Sequence, residues 1–298
     1  MSLIGVVKVA EAQNSQIKQA VAKVLKLINF QFPKNVKNVV IKPNLCYYWD
    51  YSTGQTTDPR FIGTLAEIIR ERIRSDANIS VVESDASAMK CAYAFRVLGY
   101  ERLAGQKNVN LVNLSKDKVE KVQTTVNGRI VTLYMPETIK NADLRINIPK
   151  IKYMTQTKIS CALKNIFGCN PIPTKYKFHP QLSETIVALN KIMKFHLHIL
   201  DGIVVPTTPP KRLNLIMASQ DPVAFDSAAS RIAGINPRTV KHIMLAQKEG
   251  LGTTNYKPIG ADLYAFSEQF PKRKLTTRFL TQAYTLATKM KLLSTDAF

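Results

Sequence analysis

The chain has 298 residues, 45% of them hydrophobic, and sets 42 Lys and Arg against 21 Asp and Glu, for a net charge of +21 and a pI near 9.8. That length can bury the core of one large α/β domain or of two smaller ones, and no apolar run reaches the roughly 18 to 20 residues of a membrane span. The charge implies an anionic partner, whether a phosphate or carboxylate ligand, a nucleic acid or an anionic membrane surface.

The amino terminus, MSLIGVVKVAEAQ, carries neither a basic leader nor a long apolar stretch and reads as a first strand over 3–10, so a cytoplasmic location is expected. NSQIKQAVAKVLKLI (14–28) has helical spacing, and NVVIKPN (38–44) is a strand stopped by Pro43. DPRFIGTLAEIIRERIR (58–74) is a helix with Asp58 as cap and Pro59 at its first position. NISVVES (78–84) is a strand, MKCAYAFRVLGY (89–100) a helix, and NVNLVNL (108–114) a strand. The period then changes. VEKVQTTVNGRIVTLYM (119–135) alternates around Asn127-Gly128, an antiparallel hairpin inserted in the α/β body.

A short helix follows at 136–142, a strand at LRINIP (144–149), and a helix over TKISCALKNIFGCNP (157–171). The spacing gives that last helix an apolar side of Ile159, Ala162, Leu163, Ile166 and Phe167, opposite a polar side without acids. Further helices are expected at 182–194, 222–234 and 236–252, and strands at 195–206 and 213–219; YKPIGADLYAF (256–266) receives no element. The pattern is that of an α/β protein with a mostly parallel open sheet flanked by helices. It divides into an α/β domain, 1–266, and a basic helical tail, 267–298.

Four cysteines, Cys46, Cys91, Cys161 and Cys169, form no CxxC pair and have no histidine at finger spacing, so no self-contained zinc or iron–sulfur motif and no disulfide scaffold is indicated. In open α/β sheets, ligands bind beyond the carboxyl ends of the strands. Those ends carry Lys42 and Asn44, Glu83 and Asp85, Asn147, Lys150 and Lys152, Asp201, and Ser219 with Asp221. Asp58 and Asp221, each before a proline, read equally as helix caps, and His196 and His198 as strand residues of the core or the surface. Residues 140–177 hold eight Lys and Arg against Asp143 alone, where a solvated surface would mix signs. An anion site is the reading this favours.

In this order, VVIKPNL, TTDPRFI, VVESDAS, LGYERLA, ADLRINIPKIK, ISCALKNIFG, FHPQLSE, ILDGI and IMASQDPVAFDSAASRIAG resemble the DUF362 family of archaeal and bacterial proteins. The resemblance implies an α/β domain of unassigned activity, often fused to ferredoxin-like modules; any redox role here would call on a separate ferredoxin-like partner. Relatives continue the lysine motif to a histidine, where this chain has Tyr153 and Met154, and carry a glycine-rich acidic loop where it has VVPTTPPKR. The matching motifs hold Lys42, Asn44, Thr57, Asp58, Lys150, Lys152, Lys158, Lys164, Asn165, His179, Asp201 and Asp221.

Two functions are compatible with these residues. In the first, Lys152, Lys158 and Lys164 join Lys150 in neutralising a small anionic metabolite, with Asn44, Thr57, Asp58, Asn165 and Asp221 completing the ligand contacts. Lys42, Lys150, His179 and Asp201 would then be the catalytic candidates, with a divalent cation between Asp201 and Asp221 as an added element. In the second, a nucleic acid lies along the basic stretch and tail, with Tyr47, Tyr48 and Trp49 stacking on its bases. A subunit that meets an acidic partner through the tail is a third.

Overall fold

A computed structural model describes residues 1–272. The strands are β1 (Ser2–Lys8), β2 (Asn38–Pro43), β3 (Asn78–Glu83), β4 (Asn110–Asn113), the hairpin β5 (Val119–Val126) and β6 (Arg129–Pro136), β7 (Leu144–Ile148), the hairpin β8 (Lys152–Met154) and β9 (Lys158–Ser160), β10 (Leu197–Val205), β11 (Lys211–Ser219) and β12 (Tyr256–Gly260). The helices are α1 (Asn14–Leu27), α2 (Pro59–Arg72), α3 (Cys91–Val97), α4 (Tyr100–Lys107), α5 (Glu137–Lys140), α6 (Ala162–Asn165), α7 (Leu182–Met193), α8 (Pro222–Ile232), α9 (Lys241–Lys248) and α10 (Leu263–Gln269).

Eight strands form one sheet in the order β12-β1-β11-β10-β7-β2-β3-β4. Every pairing is parallel except the two made by β11. Strand alternation explains the layers on either side. Val39 and Ile41 of β2 enter one core with Ile17, Val21, Phe61 and Leu65 of α1 and α2, while Val40 enters the other with Leu163, Ile186, Val187, Phe225 and Ile243 of α6 to α9. A strand apolar on both faces needs a helical layer on each, which is why these strands read as continuous apolar runs.

The 119–135 hairpin forms as expected. Asn127 (φ 50°) and Gly128 (φ 74°) make a two-residue turn with both residues left-handed, and the ribbon is a separate sheet that packs on α7. Elsewhere the structure corrects the sequence reading. The helix expected over 89–100 is two, α3 and α4, parted at Gly99 with φ 82°. The helix expected over 236–252 is preceded by a 3-10 turn at Pro237–Thr239 and starts only at Lys241. YKPIGADLYAF forms β12 and α10; α10 straddles the expected domain boundary at 266, and residues 273–298 of the expected tail lie outside the described residues.

The largest correction is at 157–171. Lys158 takes a φ of 64°, residues 158–160 pair with β8, and the helix is the single turn α6 followed by a 3-10 turn, Ile166–Cys169. Its apolar residues are buried as the spacing demanded, but so are Thr157, Ser160, Cys161 and Asn165 from the side read as polar.

Candidate anion-binding site

Register alone places Lys42 (β2), Asn147 (β7), His198 (β10) and Ser219 (β11) side by side across the sheet. Four polar side chains in a row on a buried face need partners, because an unmade hydrogen bond there costs about 1–3 kcal/mol. α6 supplies them. Asn147 donates to the Ala162 carbonyl (3.0 Å), and Asn165 donates to Oδ1 of Asn147 (2.7 Å). Asn147 Nδ2 also faces His198 Nδ1 at 3.1 Å, and burial lowers the His198 pKa to about 3, so this imidazole stays neutral. The short helix is itself held by Asp226 of α8, whose carboxylate accepts the backbone N–H groups of Ala162 (2.6 Å) and Leu163 (3.1 Å). Asp226 was not among the sequence candidates; an acid amid PVAFDSAA, on the buried side of a predicted helix, was the available signal.

Two ion pairs flank the row. Lys42 meets Glu83 at 2.7 Å and Lys150 meets Asp201 at 3.2 Å, with every one of these side chains almost wholly buried. Gly168 closes over the first pair, and a Cβ there would lie 2.8 Å from Glu83 Oε1 and 3.0 Å from Lys42 Nζ. Gly168→Ala is therefore expected to push the pair apart and lower stability by about 1–3 kcal/mol, measured by urea denaturation. Around the second pair, Thr57 accepts the Asn44 N–H (2.8 Å) and donates to the Ile148 carbonyl (2.9 Å), and the Asp58 N–H donates to Asp201 (2.9 Å). Asp58 caps α2 and is gripped by Arg60 at 2.7 Å; burial raises its carboxyl pKa, against the pull of that guanidinium.

Three further lysines converge on these pairs without an ion-pairing acid among the described residues. Lys152, 8% exposed, donates to the Gln55 carbonyl (3.2 Å), and the Cys46 thiol lies beside its amine. Burial is the main force lowering its pKa, and the charges of Lys150 and Lys42 add to it. Lys164 sits 4.8 Å over the Phe167 ring, and burial and then the charge of Lys152 bring it to about 8. Lys175 donates to Ser84 Oγ (2.8 Å) and to the Asn170 carbonyl, and burial brings it also to about 8, against the attraction of Glu83. Of these five lysines two are ion-paired, with Glu83 and Asp201, while Lys175 feels Glu83 and Asp85 only at longer range and Asp58 is taken by Arg60.

The structure brings together Lys42, Asn44, Thr57, Asp58, Lys150, Lys152, Lys164, Asn165 and Asp201. Asn44, Thr57, Asp58 and Asn165 are committed to holding backbone and so serve the site as its frame. His179 is exposed near Lys164, whose charge, after burial, lowers its pKa. Lys158 lies exposed at the far end of the β8–β9 hairpin from Lys152. Asp221 is elsewhere. Because β11 is antiparallel, its carboxyl end is at the opposite edge of the sheet: Asp201 pairs with Ile216, and Asp221 lies five residues further along. There it caps α8 through the Val223 and Ala224 N–H groups and accepts from Ser2 Oγ (2.6 Å) and the Thr253 N–H (2.9 Å). A cation shared by Asp201 and Asp221 has no geometric basis. Cys46 was not singled out by the sequence, and Lys175 stood there only as one of the eight basic residues of 140–177.

Residues 39–231 match the family model described as "Domain of unknown function (DUF362)". The chain is similar to the thylakoid-associated protein sll1697 of Synechocystis sp. (strain ATCC 27184 / PCC 6803 / Kazusa), at 25% identity over 237 residues, or 75% of this chain and 71% of that protein. Among solved structures it is similar to the lactate racemase apoprotein from Thermoanaerobacterium thermosaccharolyticum, with a TM-score of 0.49 and 13% identity over 79% of this chain. The matched region spans 58% of that longer protein. No helix among the described residues is long and apolar enough to cross a membrane.

Proposed function

The chain belongs to the DUF362 family, and we propose that this member binds a small anionic metabolite, bearing phosphate or carboxylate, in the lysine cluster at the carboxyl edge of its sheet. The observation that carries this reading is the convergence of Lys152, Lys164 and Lys175 without acids of their own. Keeping desolvated ammonium groups together costs the fold stability, and a bound dianion is what removes that cost. The paired lysines, Lys42 and Lys150, then form the rigid floor, and the unpaired ones supply the charge.

A nucleic acid is the weaker alternative, because Lys152 lies too deep for the backbone of a polymer to reach along its length. The redox-subunit reading rests on family resemblance alone. If the ligand is turned over, Lys164 is the group best poised to exchange a proton near neutral pH, with His179 beside it. A cytoplasmic location belongs to the same proposal.

A thermal-shift screen of phosphorylated and carboxylated metabolites, with and without Mg²⁺, tests the reading. At a hundredfold excess over Kd a ligand adds about 2.7 kcal/mol, a rise of roughly 5–10 °C for a domain of this size. Lys164→Ala should weaken binding and shrink the shift. Hits indifferent to that substitution would place the ligand elsewhere.

A further inference from the structure

We propose that the loop between β2 and α2 adds an aromatic platform to this site, so that the anion it takes carries a flat ring and belongs to the nucleotides. The inference rests on the anion-binding reading and deepens it. The loop is rooted in the lysine cluster: the Gln55 carbonyl accepts from Lys152 at 3.2 Å, the Cys46 carbonyl accepts the Trp49 N–H at 3.2 Å, and Tyr47, between Cys46 and Trp49, takes a φ of 50°.

Tyr47, Tyr48 and Trp49 are 51, 40 and 56% exposed. Single exposed aromatics are ordinary, but three in succession on a loop rooted among buried lysines form a patch that wants a partner. The rim is built. Tyr48 accepts a hydrogen bond from the Lys90 N–H (2.9 Å) and meets Tyr93 edge to face at 5.0 Å. Further along the loop, Arg60 lies 5.1 Å over the Tyr51 ring, and Gly54 (φ 74°) packs so closely on Val205 and Pro206 that a Cβ would come within 2.5 Å of their backbone. The loop is thereby clamped to the carboxyl end of β10, four residues beyond Asp201, and its last residue, Asp58, donates its N–H to Asp201 at 2.9 Å. A base stacked on the rim would direct its phosphates down toward Lys152 and Lys164, and stacking tolerates any base because each has a π-face. The depth of Lys152 suits a terminal phosphate, which favours a mononucleotide over RNA.

Trp49 is the sole tryptophan of the chain, so its emission reports directly on the rim. Titrations with AMP, ADP and ATP are compared with inorganic phosphate, pyrophosphate, tripolyphosphate and ribose 5-phosphate, with affinities measured by calorimetry. At least one nucleotide should quench Trp49 and bind about tenfold or more tighter than its base-free counterpart. Trp49→Ala should erase that advantage and leave pyrophosphate affinity unchanged, and Trp49→Phe should retain most of it. The platform is overturned if the base adds less than about threefold, if Trp49→Ala weakens both ligand types equally, or if an oligonucleotide outcompetes mononucleotides with steep salt dependence. Failure of every phosphate to bind would overturn the platform and leave the anion site to carboxylates, and the anion site itself falls only if the carboxylates of the thermal-shift screen fail as well.

Discussion

Lys42→Ala is expected to cost the fold about 3–5 kcal/mol, whereas Lys152→Ala should cost little or raise stability. Both lysines are buried and both follow from the strand-end rule, so sequence position alone would rank them together. Their partners separate them. Removing the Lys42 amine leaves Glu83, 3% exposed, with the Ser84 N–H as its remaining hydrogen-bond donor at 3.0 Å. Lys175 already feels Glu83, but moving to it would mean giving up Ser84 Oγ and the Asn170 carbonyl. Removing the Lys152 amine strands no carboxylate and relieves Lys164 of a neighbouring charge. Chemical denaturation of the two variants measures the contrast. Lys42→Met combined with Glu83→Leu should recover most of the loss, because a buried pair replaced by apolar side chains of similar size is often neutral. Equal losses for Lys42→Ala and Lys152→Ala would remove the distinction between floor and binding lysines.

The second expected result is that stability and ligand affinity respond to pH in opposite directions. Lys164 and Lys175 titrate near 8 in the folded protein, below the ordinary 10.5. Between pH 8 and 10.5 the unfolded chain therefore holds more protons than the folded one, and the stability of the free protein rises with pH across that window. Below 8 the charged amines oppose the fold. An anion selects those same charged amines, so its affinity should be flat below pH 8. Above 8 it should fall by up to about tenfold per pH unit for each linked lysine. Melting curves of the free protein and calorimetry of the complex, both from pH 6.5 to 9.5, check the two signs. Lys164→Ala should reduce both slopes.

Much of this was legible in the chain. The strands are apolar on both faces, which announced a covered parallel sheet, and the strand-end rule named Lys42, Lys150, Lys152 and Asp201 before any coordinates. The same rule misled at Asp221, because it presumes parallel strands and nothing in LNLIMAS marks β11 as the reversed one. The 157–171 segment failed for a different reason. Its apolar spacing is satisfied by a hairpin, an extended residue and one helical turn as well as by a continuous helix, and the choice is made by Asp226, sixty residues away, which holds the N–H groups of Ala162 and Leu163. Cys46 was unreadable because its place beside Lys152 comes from the fold, and Lys175 was legible only as one charge of the basic stretch 140–177, since nothing in the chain marks its amine as folded back onto the β3 end.

The central claim is that the unpaired lysines are an anion site, and proton linkage tests it most directly. Binding of the tightest ligand from the thermal-shift screen is followed by calorimetry at pH 8 in buffers of different ionisation enthalpy, with the ligand's own titration subtracted. The protein should take up protons on binding, about half a proton per linked lysine at pH 8 and more as the pH rises above it, because Lys164 and Lys175 are about half charged at pH 8 in the free protein, and the uptake should shrink in Lys164→Ala. Binding with no proton uptake and an affinity constant from pH 7 to 9 would contradict it.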